Sequence, residues 1–291
     1  MKQNIRDLIN IFTELGKVKI TLFVAISGSV GYILSKGSID FGLFISAIGV
    51  FILSVGSAAM NHIQEIKTDS LMNRTKNRPL PSNKLNKSDA QLFAYICIIT
   101  GMSVLGSNFG LITFLLGISA IISYNLIYTP LKKFSAFAIF PGSLVGAIPP
   151  VIGWAAAGGS VADPKLFALA LFFFIWQIPH FWFLLLIFDN DYKQAGFPTP
   201  SKYFTETQLK RITYVWVVAL SAACMMIPYF GITHNLITNL LLLAAGFILV
   251  WRTRTLVTIF DKKINFKLAF LDINFYVLIV VFLLSLDQFF Y

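Results

Sequence analysis

The chain has 291 residues, 57% of them hydrophobic and only 12% charged. A soluble domain carries about 25% charged residues, and here the apolar residues run together over stretches such as 41–60 and 166–188. That composition excludes a soluble enzyme, a disordered chain and a disulfide scaffold. The formal net charge of +10 would suggest nucleic acid in a soluble protein. In a chain this apolar it is first a topology signal, and no nucleic-acid partner is expected.

The first 19 residues are polar or amphipathic and do not read as a cleavable signal peptide. Leu8, Ile9, Phe12 and Leu15 fall at helical spacing within residues 4–15, which predicts a short amphipathic helix in the membrane interface. Apolar runs then predict nine spans at 20–35, 41–60, 91–107, 109–128, 136–157, 166–188, 212–230, 235–251 and 267–289. A spanning segment must satisfy its own backbone, so all nine are read as helices. Pro141, Pro149, Pro150 and Pro179 fall inside spans, where kinks or unwound turns are expected. Cys97 and Cys224 lie in apolar stretches and serve neither a disulfide nor a metal cluster.

Threading nine spans through the membrane leaves Lys36 and Lys165 on one face and every other one of the 23 Lys and Arg residues on the opposite face. Those others include Lys2, Lys17, Lys262 and Lys263. The positive-inside rule makes that face cytoplasmic, with the N-terminus inside and the C-terminus outside. The predicted fold is an all-α integral membrane protein, with nine transmembrane helices in one bundle around a central cavity open to the cytoplasmic side. Residues 1–291 form a single membrane domain, with 1–19 as the amphipathic segment and 61–90 and 189–211 as two acidic-motif loops.

Topology does not explain acids placed among those bases. Asn61, Glu65 and Asp69 follow at i, i+4 and i+8, and at ~100° per residue they drift only about 80° around a helix, so their oxygens share one face. Such hard oxygens suit Mg²⁺, which takes one or two carboxylates and completes its shell with water and substrate phosphate. Arg74 and Arg78 lie just downstream and offer forks for phosphate oxygens. Taken alone, the cluster also reads as a solvated loop with i,i+4 ion pairs. A second acidic run, Asp189-Asn190-Asp191-Tyr192-Lys193, leaves the sixth span. Between the two lie Tyr124-Asn125 and Tyr128-Thr129-Pro130-Leu131-Lys132-Lys133, which add phenols and two more phosphate-capable lysines. Two acidic clusters with matched bases at a membrane mouth describe a site for a lipid diphosphate.

The run from Asn61 through Glu65, Asp69, Met72, Arg74-Thr75 and Arg78-Pro79-Leu80 resembles the first aspartate-rich motif of the UbiA superfamily of intramembrane prenyltransferases. Tyr128-Thr129, Leu131-Lys132, Gly146-Ala147, Pro149-Pro150, Gly153-Trp154, Pro179-His180-Phe181-Trp182 and Asp191-Tyr192 resemble the haem-prenylating branch of that superfamily. The resemblance covers most of residues 17–200. It departs from the usual pattern at Glu65, where an aspartate is commoner, and at Lys17-Val18-Lys19, which replaces a lysine-proline-arginine.

What the resemblance implies is transfer of the farnesyl group of farnesyl diphosphate to a vinyl group of haem B, giving haem O. It implies Mg²⁺ as cofactor, held by Glu65, Asp69, Asp189 and Asp191, with Asn61, Glu65, Asp69 and Asp191 as the catalytic set. Arg74, Arg78, Lys132, Tyr128, Tyr192 and Lys193 would hold the diphosphate. His180, His62 and Trp182 would meet the haem. The bilayer of the bacterial inner membrane is the expected location, with contacts to proteins of haem A synthesis or oxidase assembly.

His180 sits ~13 Å inside the sixth span at 1.5 Å per residue, and an ionisable residue at such depth is functional by default. Imidazole is a common haem ligand, although a hydrogen bond to Gln177 or to a carbonyl freed by Pro179 would also account for it. His62 either meets the haem or caps its helix. Prenylation of an aromatic quinone precursor and transport of a lipid anion are the competing functions.

Overall fold

A computed structural model describes residues 5–258 and 266–289. Lys2, Asn4, Lys262 and Lys263, used above, lie outside the described residues. Among the described residues the regular structure is all helical, with nine helices long and apolar enough to cross a membrane. The protein is an all-α, multi-pass membrane protein, as predicted.

The amphipathic segment is α1 (Ile5–Leu15), which buries Ile11 and Leu15 and sets Phe12 against Phe93 at 4.9 Å. The spans are α2 (Val18–Lys36), α3 (Phe41–Gln64), α5 (Lys87–Phe109), α6 (Leu111–Leu131), α7 (Ala136–Ala156), α8 (Pro164–Ile187), α10 (Glu206–Tyr229), α11 (Leu236–Thr258) and α12 (Phe266–Asp287). Two short helices belong to the acidic loops, α4 (Ile66–Asp69) and α9 (Asp189–Gln194).

Side-chain caps set where several spans begin, and α8 and α10 start before their apolar stretch for that reason. Asp40 accepts from the Leu43 N–H at 3.2 Å, and Asp163 accepts from Lys165 N–H at 2.9 Å. Thr205 and Gln208 form a reciprocal capping box that starts α10 six residues before the predicted boundary. The helices continue through Pro141, Pro149, Pro150 and Pro179, so no unwound turn forms at these prolines. The departure from α geometry falls instead at Ile122–Tyr128, a π-helical stretch of α6.

Packing divides the bundle in two. α2, α3, α5, α6 and α7 close one ring, with α3 on α5 and α7 returning to α2. α8, α10, α11 and α12 form the other, joined through α7 with α8 and α2 with α12. The second group holds the main apolar core, which includes Phe172, Phe173, Leu220 and Val280. The α2–α7 crossing is nearly backbone to backbone: a Cβ on Gly31 would strike the Pro150 carbonyl, and one on Gly153 would strike that of Gly28. In lipid, where helices gain little from the hydrophobic effect, such close approach through small residues is a principal source of association.

Candidate active site

A cavity of about 340 Å³ opens between five spans, α2, α3, α6, α7 and α8. α10 and α11 pack behind and do not line it. Its floor is apolar, with Val24, Val50, Leu53, Val145 and Ile152. Its mouth carries Lys17, Asn61, Glu65, Asp69, Arg74, Arg78, Lys132 and Tyr192.

The first acidic motif builds the mouth. The α-helical hydrogen bonds run on, with the Glu65 N–H donating to the Asn61 carbonyl at 3.1 Å and the Asp69 N–H to the Glu65 carbonyl at 2.7 Å, although α3 ends at Gln64 and α4 begins at Ile66. Asn61, Glu65 and Asp69 therefore all line the cavity, on one side as the spacing predicts. Asn61 donates to the Thr129 hydroxyl at 3.0 Å and accepts from Lys17 Nζ at 2.7 Å. The π-helical stretch turns Asn125 inward, where its amide donates to the Ser57 carbonyl at 3.0 Å and its side-chain oxygen accepts from the Ser57 hydroxyl at 2.5 Å. Widened turns of this kind recur at functional sites because they re-aim side chains.

Charges at the mouth are paired across loops. Lys132 forms an ion pair with Glu65, and Arg78 with Asp69 at 2.8 Å. Burial disfavours the charge on Glu65, yet Lys132 and then Lys17 hold its carboxyl below the usual range. Burial likewise opposes the charge on Lys132, but Glu65 beside it holds the ammonium well above the ordinary lysine range. Lys17 goes the other way: burial, reinforced by Arg78, pulls it down to about 7. Lys17 and Arg74 make no ion pair among the described residues.

The two acidic loops meet, as their placement suggests. Asp191 Oδ2 accepts from the Arg74 backbone N–H at 3.0 Å, and Met72 packs with Ala195 and Phe197. The four carboxylates do not converge, however, and no group of three or more His, Cys, Asp or Glu side chains that could hold a metal ion forms among the described residues. Asp189 is held by Lys193 at 2.6 Å and by the Ser201 hydroxyl at 2.7 Å. Burial would raise its pKa, but these two partners lower it. Asp189 and Asp191 line a separate recess with Phe188, and Lys193 points to Asp189 rather than into the cavity.

Asp69 Oδ1 is buried in the cavity wall with no hydrogen-bond partner among the described residues. A carboxylate oxygen without a donor fits a divalent cation with few protein ligands, the shell being completed by water and phosphate. The residues present fit Mg²⁺ through Asp69 and Glu65.

The deeper residues sort by helix face. Tyr128, His180 and Phe181 line the cavity, with Tyr128 stacked on Phe181 at 5.2 Å. Trp182, two residues and about 200° beyond His180, turns away into a buried cluster with Ile139, Ile178 and Leu209. His62 is buried, but neither of its ring nitrogens has a partner among the described residues and it is not part of the cavity lining. Neither residue is placed to meet a ligand there.

Three lining or supporting residues have no site role assigned from the sequence, and the hydrogen bond of His180 goes to Asn274 rather than to Gln177. Lys17, read above as a topology charge and as part of the segment that replaces a lysine-proline-arginine, reaches Asn61 from a left-handed turn (φ 48°) between α1 and α2. Gln177 lines the cavity one turn before His180. Asn274, 94 positions from His180, accepts from its Nδ1 at 2.9 Å. Gln177 and Asn274 had a legible signal, each an amide in an apolar span.

Residues 22–279 match the UbiA prenyltransferase family. The chain belongs to that family. A relative named protoheme IX farnesyltransferase from Geobacter sulfurreducens is 36% identical over 218 residues, covering 75% of this chain and 80% of that one. A second of the same name, from Christiangramia forsetii, is 36% identical over 79% of this chain and 76% of its own. Among solved structures, a UbiA homologue from Archaeoglobus fulgidus bound to DMAPP and Mg²⁺ superposes with a TM-score of 0.72 at 13% identity, covering 94% of this chain and 97% of that one. Digeranylgeranylglyceryl phosphate synthase superposes at 0.71 with 17% identity, covering 96% and 98% of the two chains. At such identities the solved structures speak for the fold.

Proposed function

We propose that this chain transfers the farnesyl group of farnesyl diphosphate to a vinyl carbon of haem B, producing haem O. The observation that carries the reading is the two-part cavity. Its charged mouth matches a diphosphate, and its apolar floor between α2, α3 and α7 matches a prenyl tail. The relatives that share 36% of its residues over most of the chain, and their name, supply the acceptor.

Lys17 and Arg74, which have no ion-pair partner among the described residues, meet the diphosphate oxygens first, and Arg78 and Lys132 add charge from the sides. Their combined field stabilises the negative charge that grows on the leaving group, which is where electrostatic catalysis contributes most. Mg²⁺ held by Asp69 and Glu65 supplies further neutralisation of that charge when bound. The floor keeps bulk water from the allylic cation. Tyr124 and Tyr128 present aromatic faces and phenols between mouth and floor. Asp191 acts on the site through the Arg74 backbone, fixing the loop that carries the arginine. The charged mouth faces the cytoplasm of a bacterial inner membrane, where the diphosphate donor is dissolved.

Replacing Asp69 with Ala tests the reading. Haem O formation should fall by at least ~100-fold, while membrane insertion, checked by protease protection of the loops, should be unchanged. Substantial haem O synthesis by that variant contradicts the assigned role.

A further inference from the structure

Two polar side chains of α8, Gln177 and His180, line the cavity away from the charged mouth, and both present acceptors. Asn274 on α12 donates its amide to the Phe270 carbonyl at 2.6 Å, which fixes the orientation of that amide. Its Oδ1 must then face His180 as an acceptor, so at 2.9 Å the His180 Nδ1 carries the proton. The tautomer leaves Nε2 with a free electron pair. The ring is held by Trp176 at 5.1 Å and Phe270 at 4.9 Å.

One turn earlier, Gln177 packs its amide against Gly146, where any Cβ would collide with it. Its Oε1 is buried without a hydrogen-bond partner among the described residues. An unsatisfied buried acceptor costs about 1–3 kcal/mol. The face of α8 exposed to the cavity thus presents two acceptors and calls for a donor with two protons. An iron atom could take the His180 electron pair but would offer Gln177 nothing. Water satisfies both.

We propose that Gln177 and His180 hold the water that hydrates the farnesylated vinyl group, with Asn274 as the positioning residue that fixes the His180 tautomer. The inference rests on the haem-farnesylation reading and deepens it. The C1–O bond of farnesyl diphosphate breaks with its electron pair on the diphosphate. The terminal vinyl carbon bonds to C1, leaving a cation on the vinyl carbon next to the pyrrole ring. The water oxygen bonds to that carbon, and Nε2 of His180 takes the proton, which leaves through the cavity mouth with product. Without a held water the same cation loses a proton from the adjacent carbon and ends as an alkene, one water lighter than the alcohol.

The test is product analysis by mass spectrometry on the purified full chain with farnesyl diphosphate, haem B and Mg²⁺, alongside diphosphate release. In Gln177→Leu, Gln177→Met and His180→Leu the alkene-to-alcohol ratio should rise roughly a hundredfold, in line with loss of a general base, while diphosphate is still released. Asn274→Leu should shift the ratio the same way and Asn274→Asp should restore it. Unchanged ratios in both Gln177 variants overturn the proposal. So does a His180 variant that loses all products together and shifts the haem absorption band, since that marks iron ligation. If the unaltered protein yields no farnesylated haem, the functional reading fails first, and that outcome is distinct from an unchanged ratio.

Discussion

Lys132→Met removes the ammonium paired with Glu65, whose side chain is only 5% exposed. Breaking a buried ion pair from one side typically costs about 3–5 kcal/mol, because it strands the other charge. Lys17 remains in the same field and already lowers the Glu65 pKa, so the cost should fall near the lower end, about 3 kcal/mol. For a chain of this size that corresponds to a melting-temperature loss of about 5 °C. The double variant Glu65→Gln/Lys132→Met strands no charge and should recover to within about 1 kcal/mol of the parent. Neither protein should catalyse prenyl transfer, since both lose the Lys132 charge at the mouth. Thermal unfolding of the parent, both single variants and the double variant in one detergent gives the cycle. A Lys132→Met protein that melts with the parent, or a double variant less stable than either single one, refutes the pairing argument.

The other predictions concern the same mouth and the helix crossing behind it. Lys17 has a folded pKa of about 7 against an ordinary 10.5, so between these values the unfolded chain binds more protons and stability rises with pH. The melting temperature of the parent relative to Lys17→Met should therefore climb as pH rises through that window, and a flat difference would show that Lys17 is not desolvated. Gly153→Ala drives a methyl into the Gly28 carbonyl and should cost about 1–3 kcal/mol of overpacking, measured as a lower melting temperature with the reaction products unchanged in kind. Gly146→Ala pushes on the Gln177 amide and should raise the alkene fraction without loss of diphosphate release.

Helix count, span order and the first acidic motif are legible in the sequence because each rests on local spacing. Apolar runs of membrane length set the spans, and the i, i+4, i+8 rhythm puts Asn61, Glu65 and Asp69 on one side of the cavity. The second acidic motif is legible as a loop that meets the first, but not as chemistry. Asp189 is taken up by its i+4 neighbour Lys193 and by Ser201, while Asp191 goes to the Arg74 backbone 117 positions away, a partner that leaves no periodic trace. Trp182 fails for a simpler reason: it belongs to the same short motif as His180 but lies on the opposite face of α8. The roles of Lys17 and Asn274 depend on which helices become neighbours, and Lys17 further on a left-handed turn that hydropathy does not register. The π-helical stretch of α6 is equally silent, since nothing in Ile122–Tyr128 breaks an α pattern.

The central claim is that this cavity joins a farnesyl group to haem B. Purified protein should be incubated with farnesyl diphosphate and haem B, with Mg²⁺ or with a chelator in its place, and the haem fraction weighed by mass spectrometry. The account predicts haem gaining one farnesyl group and one water with Mg²⁺ present and no gain when the metal is removed. Unmodified haem in both samples, with farnesyl appearing instead on an added aromatic acid, would contradict it.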